Sequence, residues 1–330
     1  MYETFCDCSK LTEIDVSTWD VGSVNTFELM FDDCRALKEL DIADWDVSSA
    51  TSFHGMFRYC ISLKEIELSE WNVEKLNSAL GMFVGCGSLT SLDLSGWNVS
   101  KVTNMAYMFS GCDILTSLNV AGWKFVSTDD IGPQVTNMSS MFAECFQLKS
   151  LDLSGWNVSS VTNMAGIFSR CSALESLNVS TWDVSSVTSM NQMFLKCTNL
   201  TDLDVSSWKV SNVTNMQQTF SDCGLTTLDL SQWNVSNVTN MNQMFSNNSA
   251  LVTLDLSGWD VSKVTDMTQM FYGDSALTTI YAGADWNVDN VTSHNEMFKN
   301  CTGLPGFDSG KVDKNAAKLT TNGGYFTEKK

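Results

Sequence analysis

Residues 89–112 read LTSLDLSGWNVSKVTNMAYMFSGC, and lightly varied copies of this text return along almost the whole chain. Leu89, Leu92 and Leu94 form an LxxLxL pattern whose alternation turns Leu92 and Leu94 inward and Asp93 outward, as in one strand of a parallel sheet. Trp97, Val99 and Val102 extend the apolar series through a crossing segment. Met105, Met108, Phe109 and Cys112 then fall at i, i+3, i+4 and i+7, the spacing of one face of a two-turn helix. Thr103 or Asn104 is placed to cap that helix and Gly111 to end it. Each unit therefore reads as strand, extended crossing and short helix.

The tryptophans set the period. They stand at 19, 45, 71, 97, 123, 156, 182, 208, 233, 259 and 286, so the step is 26 residues, with one of 33 and slips of one residue near Trp233 and Trp286. Cysteines keep the same phase at 8, 34, 60, 86, 112, 145, 171, 197, 223 and 301, with Asn248 and Asp274 in the two skipped places. A single unit buries too little to stand alone, whereas stacked copies align Leu, Trp, Val, Met, Phe and Cys into one elongated core. The expected fold is an α/β repeat solenoid of leucine-rich type, a right-handed stack with a parallel sheet on one face and short helices on the other. Eleven units over residues 1–304 form one domain, and residues 305–330 form a polar cap to which Phe307 and Phe326 can contribute. The long step places a seven-residue insertion near 124–134, where Asp129, Asp130, Gly132 and Pro133 supply loop chemistry.

SLDLSGWNVSKVTNMAYMFSGC at 91–112, SLDLSGWNVSSVTNMAGIFSRC at 150–171 and TLDLSGWDVSKVTDMTQMF at 253–271 closely resemble the 26-residue repeat of bacterial surface proteins, a branch of the BspA-like leucine-rich repeats. The resemblance implies a secreted or wall-anchored protein acting as an adhesin at the cell surface, with a host matrix protein, cell-surface protein or glycan as partner. It supplies no catalytic residue. Because Phe5 and Cys8 already occupy the expected helix of a unit, and neither export signal nor anchor is present, the chain reads as a fragment of such a protein.

Composition narrows the function further. The chain carries 38 acidic against 19 basic residues, a formal charge of −19, which disfavours nucleic acid and anionic membrane as partners. No stretch of eighteen apolar residues is available to insert into a bilayer. Two histidines in 330 residues remove most routes to acid/base catalysis near neutral pH, so a non-catalytic, monomeric binding module is expected.

The arrays divide into core and surface. One inward cysteine per unit, beside Met and Phe, reads as a free buried thiol rather than a metal ligand or half of a disulfide. The tryptophans share the inward phase. Outward, the strand offers an acidic column that includes Asp15, Asp41, Glu67 and Asp93, joined in the first three units by Glu13, Glu39 and Glu65. Residues 1–86 hold 16 acidic and 6 basic residues, over half of the net charge. These seven residues, with Asp129 and Asp130 of the insertion, are the candidate binding positions. They require no cofactor, and the carboxylates suit weak calcium binding at most. A Thr column, from Thr51 and Thr103 to Thr292, reads as turn and helix capping, with an ice or mineral surface as the alternative use. For the whole array the alternative to binding is a spacer that projects another domain.

Overall fold

In the computed structural model, residues 1–123, 125, 134–283 and 286–329 are described. The expectations on the insertion, including Asp129 and Asp130, fall outside them. The chain packs as two compact units, Met1–Val161 with Arg170–Leu177, and Thr162–Ser169 with Asn178–Lys330. In the first, β1 (Ser91–Asp93) pairs in parallel with β2 (Ser117–Asn119), and β3 (Ser150–Leu151) with β4 (Ser176–Leu177). In the second, β5 (Thr227–Asp229), β6 (Thr253–Leu256), β7 (Thr279–Ala282) and β8 (Phe326–Glu328) make a four-stranded parallel sheet. The register joins equivalent residues of successive repeats, such as Leu92 to Leu118 and Asp229 to Asp255. Each unit is thus a parallel-strand solenoid, one rung per repeat.

The expected helices are absent: among the described residues the only helical turns are two short 3-10 segments near the C-terminus, Lys314–Ala316 and Thr320–Asn322. Residues 105–112 instead form consecutive tight turns, with Tyr107 and Gly111 in the left-handed region at φ 58° and 73°. Their amides alternate. Met108, Ser110 and Cys112 donate within the rung to Met105, Tyr107 and Phe109 carbonyls (3.1–3.2 Å), while Tyr107, Phe109 and Gly111 donate to Ser139, Met141 and Ala143 of the next rung (2.8–2.9 Å). The same alternation holds at 190–197 in the second unit, with Gln192 and Lys196 left-handed. An α-helix is about 10 Å across with its side chains, twice the roughly 4.8 Å between paired strands, so helices stacked one per rung would space the far face more widely than the strand face. Turns that pass half of their amides to the neighbour keep the strand spacing on both faces. Thr103, Asn104 and Gly111 therefore have no helix to cap or end. The Thr hydroxyls donate to the preceding rung, as Thr214 Oγ1 does to the Thr188 carbonyl at 3.3 Å, and Asn104 Oδ1 closes a turn by accepting from Ala106 N at 3.0 Å.

The core columns follow the sequence phase. Nine of the rung tryptophans are at most 4% exposed; Trp19 and Trp286, at the ends of the series, are half-buried. Indole Nε1 atoms donate to strand carbonyls one rung back, Trp97 to Leu68 and Trp259 to Leu230 among them, at 2.9 and 3.0 Å. Nine of the eleven cysteines are buried and all are free, but Cys8 is exposed and Cys6 half-buried. The buried thiols are more than small hydrophobes. Each of these nine Sγ atoms donates to a Phe carbonyl of the preceding rung, as Cys60 does to Phe31 at 3.2 Å and Cys223 to Phe194 at 3.1 Å.

Polar side chains fill the two breaks in the column. Asn248, 1% exposed, donates Nδ2 to the Phe220 carbonyl at 2.9 Å and accepts from Cys223 N at 2.9 Å. Asp274, fully buried, accepts from Asn248 N at 2.7 Å through Oδ1, while Oδ2 has no partner. Burial pushes the Asp274 carboxyl well above the usual carboxylate range. A protonated carboxyl carries one O–H donor, as the thiol and the amide at the other places in the column carry theirs.

These contacts lead to three expectations. Thiol titration of the native protein should show Cys8 reacting at once, Cys6 next, and the nine buried thiols only on unfolding; rapid labelling of the whole set would contradict the packing. Trp182→Ala removes an indole that is 3% exposed and should cost about 3–5 kcal/mol in denaturant unfolding. Asp274→Asn keeps a donor without needing a proton. Since the folded pKa of Asp274 is raised, its stabilising contribution is complete below the unfolded value near pH 4 and is lost as pH rises. The variant should therefore melt above the parent at pH 7, with the gap closing toward pH 4; an equal gap at both pH values would refute the assignment.

Candidate functional site

On the strand face of the first unit an open trough of about 1140 Å³ runs across five rungs. Its floor is the apolar column Ile14, Leu40, Ile66 and Leu92. Two rows border it: Glu13, Glu39, Glu65, Ser91 and Ser117 on one side, and Asp15, Asp41, Glu67, Asp93 and Asn119 on the other. The alternation of the extended chain creates this arrangement, because residues on either side of an inward one both point out. All seven carboxylates anticipated on this face line the trough, all are exposed, and no basic side chain lines it among the described residues.

The two acidic rows are held differently. Asp15, Glu67 and Asp93 each accept from the amide of the serine two positions on, Ser17, Ser69 and Ser95, at 3.2, 2.9 and 2.9 Å. Hydrogen bonding to those serines lowers the pKa of all three carboxyls. These carboxylates close turns as well as facing solvent. Glu13, Glu39, Glu65 and Asp41 carry no such bond and present free carboxylates to the trough. Among the described residues no three His, Cys, Asp or Glu side chains converge in a way that could hold a metal ion, so the trough contains no ready cage for calcium.

The charge has a structural cost that the sequence reading did not foresee. Regular strand pairing appears in seven of the eleven rungs. The four without it carry Glu13 with Asp15, Glu39 with Asp41, Glu65 with Glu67, and Asp202 with Asp204, and these are the four rungs with two acids on the strand face. Like charges facing one another across paired strands oppose pairing. Lateral bonds ahead of the strands in the first unit include Thr116 N to Thr90 O at 3.0 Å and Lys64 N to Lys38 O at 3.4 Å.

A further polar array was missed. In the second unit Gln192, Gln218, Gln243 and Gln269 each donate Nε2 to the side chain of the next rung, at 2.6–2.9 Å, and the series ends on the carboxylate of Glu296, which pairs with Lys299. The signal was a Gln or Glu two places before the phenylalanine in five successive repeats, hidden by the helical reading of that segment. The histidines stand apart from these arrays: His54 and His294 are both half-buried, and Nδ1 of His294 has no hydrogen-bond partner.

If repulsion loosens the acidic rungs, Glu39→Gln with Glu65→Gln should raise the melting temperature by roughly a few degrees at low salt, and the gain should shrink as salt screens the charges. A gain that ignores salt would point to side-chain packing instead.

No helix among the described residues is long and apolar enough to cross a membrane. No curated protein matches the chain at a significant level. Solved structures similar to it include a leucine-rich cell surface protein from Faecalibacterium prausnitzii, 18% identical over 84% of this chain and 74% of that one, with a TM-score of 0.37. A leucine-rich repeat protein from Eubacterium ventriosum is 17% identical over 79% and 59%, with a TM-score of 0.35. An internalin from Listeria monocytogenes is 14% identical over 84% and 76%, with a TM-score of 0.27. The profile of the family described as "Mycoplasma protein of unknown function, DUF285" matches residues 1–123, 126–226 and 195–309, so that nearly every rung described above falls within it, and the chain belongs to the DUF285 family.

Proposed function

We propose that this chain is a non-catalytic binding module of a cell-surface protein, and that the trough on its first unit takes a positively charged partner. The reading rests on one observation: seven carboxylates line one open trough with an apolar floor and no countercharge among the described residues. A row of fixed charge raises the local potential and speeds the approach of an oppositely charged surface, while the apolar floor rewards close contact. Stacked rungs hold the face in place before the partner arrives, so association orders little further chain. Basic segments of matrix or cell-surface proteins have the chemistry this face selects. A basic protein is favoured over a glycan at this site because the exposed border is acidic rather than aromatic.

The test replaces Glu13, Glu39 and Glu65 together by Gln, which leaves the serine-bonded carboxylates in place. Matrix proteins, mucins and a glycan array are screened with and without calcium. The parent chain should retain basic proteins with an affinity that falls steeply with salt, and the triple variant should lose about tenfold or more. Unchanged binding and unchanged salt dependence would reduce the trough to a solvated face and return the chain to the role of a spacer.

A further inference from the structure

A second cavity, of about 580 Å³, lies in the other unit, where the C-terminal cap folds against the last repeat. Trp286, Asn287, Val288 and Asp289 of the repeat line one side, and Lys314, Asn315, Ala317 and Lys318 of the cap the other. Its volume is in the range of small-ligand sites. The cavity exists because the cap replaces a rung. Inside the unit, Trp182 lies on Trp208 and Trp208 on Trp233, with centroids 6.3 Å apart and planes nearly parallel. Trp286 ends the series, half-buried, with Phe326 of β8 meeting it edge-on at 5.0 Å. The place that a further rung would fill is bridged by Lys314, whose Nζ donates to the carbonyls of Val291 at 2.5 Å and Val288 at 3.4 Å.

Two features separate this cavity from an ordinary surface dent. Trp286 Nε1 is buried and has no hydrogen-bond partner among the described residues, whereas the indoles of Trp208, Trp233 and Trp259 in the same unit donate to strand carbonyls at 3.0 Å. The rim also mixes both signs and both hydrogen-bonding senses: the exposed Asp289 carboxylate accepts, the exposed Lys318 ammonium donates, and the Asn287 and Asn315 amides do both. An anion placed there meets Asp289, and a cation meets Lys314 and Lys318. A neutral aromatic ring leaves the polar rim unpaired. A pyranose satisfies all of it, with an apolar C–H face for the half-buried indole and Val288 side chain, and a belt of hydroxyls that donate and accept.

From this geometry we infer that the cavity between Trp286 and the cap is a carbohydrate-binding site for a neutral hexopyranose, separate from the acidic trough. The whole chain is titrated with neutral monosaccharides, namely glucose, galactose, mannose and N-acetylglucosamine, and followed by saturation-transfer NMR and Trp fluorescence. At least one should bind with a roughly millimolar dissociation constant, the range for one small ring on a shallow site. Asp289→Ala and Lys318→Ala, on exposed side chains, should each weaken binding by about fivefold or more through lost hydrogen bonds, without changing the melting temperature. Ala317→Leu, at a side chain that is 2% exposed, is read with its melting temperature beside it: with the fold retained it narrows the cavity and should abolish binding. Because Trp286→Ala also removes core packing, it is read only beside these variants. The Glu13, Glu39 and Glu65 triple variant should bind sugar as the parent does, so the two sites fail or stand separately. The inference is overturned if no sugar binds at tens of millimolar, if binding survives Ala317→Leu, or if inorganic sulfate occupies the site in place of sugar and is lost with Lys318→Ala.

Discussion

A rung in this protein can be no thicker than the roughly 4.8 Å that separates paired strands. The rest of the structure follows from that limit. An α-helix on the far face would exceed it, so the chain turns repeatedly and passes alternate amides to its neighbour, as at 105–112 and 190–197. Two residues per rung then adopt the left-handed conformation, often without being glycine, as Gln192 and Lys196 do. Each costs about 1–2 kcal/mol relative to the right-handed form, and the lateral hydrogen bonds offset it. The same limit brings donors on side chains to the carbonyls of the next layer. Trp Nε1, Cys Sγ and Thr Oγ1 all bond the preceding rung, so the core is stitched by polar contacts as well as packed by apolar ones.

Much of this was legible in the sequence because it lies in the period. Leu92, Trp97, Met105 and Cys112 share an inward phase whatever the conformation between them, and all four are buried. The conformation itself was not legible, since i, i+3, i+4 and i+7 is the apolar spacing of a helix and also of two successive tight turns. The thickness of the rung decides between them, and thickness belongs to the stack rather than to any single repeat. The acidic trough could be read from Glu13, Asp15 and their counterparts one and two periods on. The second cavity could not, because Lys314 and Lys318 meet Trp286 only through the folding of the irregular cap.

Stability and recognition pull against one another on the strand face. Rungs carrying Ser or Thr opposite an acid pair regularly, as Ser91 does with Ser117 and Thr227 with Thr253. Rungs with two acids give up that pairing and keep the charge. The N-terminal rungs therefore rely more heavily on their turn face, where Phe31, Phe57 and Phe83 stack at 5.5–5.9 Å and the amide ladder is unbroken. Free carboxylates at Glu13, Glu39, Asp41 and Glu65 stand beside serine-bonded ones at Asp15, Glu67 and Asp93, which separates the charge available to a partner from the charge that shapes the backbone.

Asn248 and Asp274 have a consequence for how the second unit finds its alignment. A stack of near-identical layers is degenerate: shifting the chain by one whole repeat brings Leu onto Leu, Trp onto Trp and Phe onto Phe again, at little cost in apolar contact. The polar pair breaks that translational symmetry. Asn248 Oδ1 accepts from the Cys223 backbone amide on one side, and the Asn248 backbone amide donates to Asp274 on the other, so a displaced layer would part these two amides from the side-chain acceptors that meet them here. In a coiled coil, one buried asparagine fixes the stagger of two helices at some loss of stability. Here two adjacent substitutions in a thiol column mark the layers in the same way, and give an otherwise repetitive fold one address from which the others can be counted.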